Sequence, residues 1–133
     1  MIRIILAALT GLILGSVVNM LLISLGGMLI ALPEGVDNTT MEGLANSIEL
    51  FEVQHYLFPF LAHALGTFCG AFSAILLAKS HQRPIALFIG CVFLCGGIWA
   101  SVVLPAPIWF IIIDIFFAYL PMAWGAHRLW QRK

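Results

Sequence analysis

Charge is what this chain has least of. Its 133 residues include six Lys or Arg and six Asp or Glu, 9% in all. A soluble domain averages about 25%. At 62% apolar, the chain carries more hydrophobic surface than a core of this size can hide. Its mean hydropathy is +1.09. These figures point away from a water-soluble domain and toward the bilayer as solvent.

Other absences narrow the chemistry. There is no nucleotide-binding glycine loop, no GxSxG elbow and no HExxH. No basic patch with interleaved aromatics occurs, so nucleic acid is not an expected partner. Cys69, Cys91 and Cys95 form no CxxC pair. All three fall in apolar stretches and read as small buried side chains. No internal repeat is evident, which argues against a simple inverted duplication.

What is present is four apolar stretches, at about residues 4–32, 57–78, 85–104 and 108–127. A helix needs roughly 20 residues to cross about 30 Å of hydrocarbon. Backbone groups there must pair within their own segment, and these Gly- and Leu-rich runs lack the alternation of barrel strands. The expected fold class is an all-α integral membrane protein, a single four-transmembrane-helix bundle surrounded by lipid bilayer. The first stretch must tilt or project from the bilayer. It is too long for a signal-peptide core and is read as an uncleaved span.

The few charges are segregated. Arg3, Lys79, Arg83, Arg128, Arg132 and Lys133 flank one set of span ends. Glu34, Asp37, Glu42, Glu49 and Glu52 all lie in the connection 33–56. By the positive-inside rule, both termini are expected in the cytoplasm of an inner (plasma) membrane protein. The acidic connection then lies outside, as a solvated face.

Punctuation and periodicity add detail. Pro33 ends span one; Pro84 and Pro107 suit the first turns of spans three and four. Phe58-Pro59 predicts a bend before span two, and Pro121 a kink within span four. Thr39-Thr40-Met41-Glu42 fits a capping box with Thr39 as N-cap. Met41, Leu44, Ala45, Ile48 and Phe51 then recur at helical spacing. An amphipathic helix from about Thr40 to Leu57 is expected to cap the outer side of the bundle. Gly11 and Gly15 form one GxxxG, Gly66 and Gly70 another. Such faces serve helix packing within the chain or, alternatively, a homodimer. Tyr56, Trp99, Trp109 and Trp130 are expected at the membrane interface, Tyr119 and Trp124 deeper in the bundle, and His81 and His127 in solvent.

Polar residues inside the spans nominate a site. Asn19 continues the Gly11–Gly15 row, His63 lies on the Gly66–Gly70 face, and Asp114 shares a face with Ala118. All three are expected to point inward. His63 and Asp114 each lie about six residues below the outer boundary, roughly 10 Å at 1.5 Å per residue. A direct contact between them is therefore expected, with Asn19 deeper. On a helical wheel for the capping segment, Glu52 and His55 turn inward while Glu42, Asn46 and Glu49 face water. Glu52-x-x-His55 is the four-residue pattern found in di-iron carboxylate bundles, which need two such motifs; this chain has one.

Glu52, His55, His63 and Asp114, with Asn19 below, thus form the candidate ligand or proton site. The leading functional reading is a site between the capping helix and spans two and four for a small cation, proton-coupled solute or lipid-like ligand. Two alternatives stand beside it. One is a metal-dependent membrane enzyme, with Glu52, His55, His63 and Asp114 holding zinc or iron. The other is a structural or accessory subunit of a larger complex. In length and span count the chain is similar to small multidrug transporters, but those carry their essential acid in the first span, where this chain has Asn19.

Overall fold

The computed structural model describes residues 1–132; Lys133, one of the basic residues used for orientation, lies outside them. The described chain is all helical, without strands: α1 Ile2–Leu29, α2 Met41–Ser47, α3 Leu57–Ala78, α4 Gln82–Val103, α5 Ile108–Phe117 and α6 Leu120–Gln131. Four helical stretches are long and apolar enough to cross a membrane: Ile2–Leu29, Val53–Ala78, Gln82–Val103 and Ile108–Gln131. The bundle has a basic end, with Arg3, Lys79, Arg83 and Arg128, and an acidic end, with the connection 30–56.

Both glycine pairs are consumed inside the chain. α1 packs mainly on α3. A Cβ on Gly11 would lie 2.6 Å from the Gly70 carbonyl oxygen, and one on Gly70 2.6 Å from that of Gly11. Gly15 and Gly66 are related in the same way, at 2.7 and 2.9 Å. The two backbones touch because neither bears a side chain there, so these faces are not free for a second copy. Below them, Ala7, Ala71, Ala74, Ala78, Ala86, Ala123 and Ala126 form a core of small residues around Ile75 and Ile89. Such cores suit close helix approach where lipid removes the usual hydrophobic drive. At the basic end, Arg3 Nε donates to the Leu77 carbonyl at 2.6 Å, satisfying one of the orphan acceptors at the end of α3.

The prolines act mostly as expected, with two differences. Pro84 lies in the first turn of α4 and Pro107 is the N-cap of α5. Pro59 produces no bend before α3; it sits in the first turn of that helix, where a missing N–H costs nothing. Pro121 does more than kink span four. It cannot donate to the Phe117 carbonyl, and its ring crowds that carbonyl. The helix stops at Phe117 and restarts at Leu120, with Tyr119 between them at φ −117 and ψ −84.

The acidic connection also departs from expectation. The single helix from Thr40 to Leu57 is replaced by α2, only seven residues long, and two 3-10 turns, Ile48–Leu50 and Val53–Tyr56. Thr40, not Thr39, is the N-cap, accepting from the Gly43 N–H at 2.9 Å, so no capping box to Glu42 forms. Thr39 instead donates its amide and hydroxyl to the Asp37 carboxylate. Ser47 helps end α2: its hydroxyl donates to the Gly43 carbonyl at 2.8 Å and accepts from the Asp37 N–H at 3.2 Å. Ile48 is buried, as expected, whereas Met41 is half exposed.

Candidate functional site

His63 lies in the second turn of α3 and Asp114 in the second turn of α5. Both helices start at the acidic end, so equal counts give equal depth. His63 Nδ1 meets Asp114 Oδ1 at 2.8 Å. The sequence also placed both on inward faces, and Asp114 is 4% exposed. The site's third member was not foreseen. The Tyr119 hydroxyl donates to Asp114 Oδ2 at 2.7 Å, and its ring stacks on His63 at 5.8 Å. Tyr119 is fully buried. A Cβ on Gly97 would overlap its phenol, so Gly97 of α4 supplies the room.

The bonds are those of a carboxylate accepting from two donors, the His63 Nδ1–H and the Tyr119 hydroxyl. In the neutral ring this leaves His63 Nε2 as an acceptor with no protein partner among the described residues. The Thr67 hydroxyl donates to the His63 carbonyl at 2.7 Å, one turn on. The His63 side chain remains 20% exposed, against 6% for Asp114.

That exposure is to a cavity of about 270 Å³. Its walls come from α1 (Ile23, Gly26), the outer connection (Ile48, Phe51), α4 (Gly97, Ala100) and α5 (Phe110, Ile111). The lining is mainly apolar, with His63 and Asp114 at its deep end. Gly26 leaves space for Phe58, whose ring a Cβ there would overlap. Phe51, Tyr56, Trp109 and Phe110 form a chain of ring contacts beside the cavity, with Tyr56–Phe110 at 4.8 Å and Tyr56–Trp109 at 5.5 Å. Tyr56 is buried in this packing.

The other candidate residues separate from this pair. His55 lines the cavity but has both ring nitrogens committed. The Glu52 N–H donates to Nδ1 at 3.0 Å, and Nε2 donates to the Ala31 carbonyl at 3.0 Å. His55 thereby ties the outer connection to the end of α1. Glu52 is exposed and accepts from Gln54 Nε2 at 3.0 Å, instead of turning inward. Asn19 packs beside Gly66, one turn below His63, and does not line the cavity. Among the described residues no three His, Cys, Asp or Glu side chains are placed to hold a metal ion. The expected zinc or iron set of Glu52, His55, His63 and Asp114 is therefore not assembled. His127, expected in solvent, is buried with its Nδ1 unpartnered. Trp124 is exposed, with the Arg128 guanidinium 4.7 Å above its ring.

No family model, curated protein or solved structure matches this chain.

Proposed function

We propose that the chain is an inner-membrane protein with both termini cytoplasmic, and that its cavity binds a small amphipathic molecule from the outer half of the bilayer. One observation carries this reading: His63, backed by Asp114 and Tyr119, presents a free ring nitrogen to a mainly apolar cavity. A buried polar trio is costly in hydrocarbon and is retained at sites of binding or proton transfer. An apolar pocket with a few convergent polar groups is the usual form of a small-molecule site. The ligand's apolar body would lie among Ile23, Ile48, Phe110 and Ile111, with its polar group on His63. A bare small cation fits less well, because both Asp114 oxygens already accept hydrogen bonds.

Ala100→Trp, which fills the cavity from α4, tests the reading. Small arylalkyl compounds should raise the melting temperature of the wild-type protein in nanodiscs and leave Ala100→Trp unmoved. Equal shifts in both proteins would mean that the compounds act elsewhere. Orientation is checked separately: Asn38→Cys should react with an impermeant maleimide from the outside only.

A further inference from the structure

We propose that the polar group this cavity takes is a protonated amine, and that the amine and a proton on His63 occupy it in alternation. The inference rests on the ligand-site reading above and names the ligand's chemistry.

The charges around the cavity support it. The lining contains one acid, Asp114, and no Lys, Arg or Glu. The titratable groups facing His63 or sharing its cavity are Asp114 from α5, Tyr119 from the α5–α6 joint, and His55 and Tyr56 from the outer connection, Tyr56 being a neutral phenol. The parts of α1 and α4 that line the cavity contribute none. Tyr119 is a neutral donor, and His55 has both nitrogens on backbone groups. With His63 neutral and Asp114 a carboxylate, the site holds one negative charge and no positive one. A single cation completes it, either a proton on His63 Nε2 or an ammonium donating to that atom. They exclude each other, because protonated Nε2 is a donor and cannot accept.

The walls favour the same class. Phe51, Tyr56, Phe58 and Phe110 all line the cavity. Aromatic faces attract a desolvated cation in a way that aliphatic walls do not. A carboxylate or phosphate headgroup would meet the Asp114 carboxylate with no Lys or Arg in the lining to offset it.

Three probes of one shape test the inference on the intact protein in nanodiscs: 2-phenylethylamine, 2-phenylethanol and phenylacetate. The amine should bind at least about tenfold more tightly than the alcohol at pH 8, and phenylacetate should not bind. Amine affinity should fall about tenfold by pH 5.5, as the proton takes its place, while alcohol affinity changes less. Asp114→Asn should reduce the amine to the level of the alcohol. His63→Gln serves as a second variant and should abolish the pH dependence. Should Asp114→Asn not fold, the wild-type probe ranking and its pH dependence decide. Alcohol binding as tight as the amine, or phenylacetate binding, overturns the amine assignment but leaves the cavity as a ligand site. Binding by none of the three overturns both.

Discussion

His63 and Asp114 lie 51 positions apart and meet at 2.8 Å, at one depth in two helices that start from the same end of the bundle. Each would be expensive alone in an apolar interior. Removing one strands the other, whereas removing both strands only Tyr119.

A double-mutant cycle should therefore show coupling. His63→Leu and Asp114→Leu should each lower the melting temperature in detergent, and the double variant should lose less than the sum. Interhelical polar pairs in membranes couple by roughly 0.5–2 kcal/mol, so a value in that range is expected. Tyr119→Phe should cost about 1 kcal/mol, since it deletes one hydrogen bond with almost no change of volume. Strict additivity of the His63 and Asp114 effects would deny the contact.

The pair was legible because it needs only two counts from span ends and two inward faces. Tyr119 was not. On a continuous helix, position 119 points about 140° away from position 114 at 100° per residue. Only the break before Pro121 turns it back onto Asp114, and a proline announces a break without giving its angle. Glu52 failed to turn inward for a related reason, and His55, although buried against the cavity, spends both ring nitrogens on backbone groups. Their placement assumed one helix through residues 40–57, but the helical period ends at Ser47. Phe51 is extended, so a wheel drawn past Ser47 no longer describes where side chains point. The four long apolar helical stretches followed from hydropathy, although the fourth is broken between Phe117 and Leu120.

The His55 latch can be tested apart from the site. His55→Phe keeps the ring but removes both bonds, to the Glu52 N–H and the Ala31 carbonyl. Amides of residues 48–56 should exchange with deuterium faster in this variant, while those in the middle of α3 keep wild-type rates. Unchanged exchange at Glu52 and its neighbours would show that the latch does not hold the connection down.

Acid should loosen the start of the same connection. Hydrogen bonds from the Thr39 side chain and backbone hold the Asp37 carboxyl below its ordinary value of 3.8. A lowered folded value means the carboxylate's contribution is present above that ordinary value. It is lost as pH falls through the lowered one. Asp37 is exposed, so the effect is local. Amides around Thr39–Gly43 should lose protection between pH 5 and pH 2.5, and Asp37→Asn should show reduced protection already at pH 5. Equal protection in the variant and the wild type at pH 5 would remove the carboxylate from the account.

Glycine substitutions should divide into two groups by position, although every site tested is helical. At Gly11, Gly15, Gly66 and Gly70 an added methyl meets the backbone oxygen of the facing helix at 2.6–2.9 Å. A backbone cannot rotate aside as a side chain can, so α1 and α3 must separate. Overpacking of this kind costs about 1–3 kcal/mol. Gly27, Gly96 and Gly125 face open space, with nothing within 4 Å of the added carbon. Alanine there removes a helix-weakening residue and should leave stability unchanged or raise it by up to about 1 kcal/mol. Gly15→Ala and Gly70→Ala should therefore lower the melting temperature in detergent, while Gly96→Ala and Gly125→Ala should not. Because Gly15 and Gly66 face each other, Gly15→Ala and Gly66→Ala together should cost little more than either alone, once the helices have moved apart. Full additivity would mean that the two glycines do not share one contact, and α1 would then have to pack on α3 in another register.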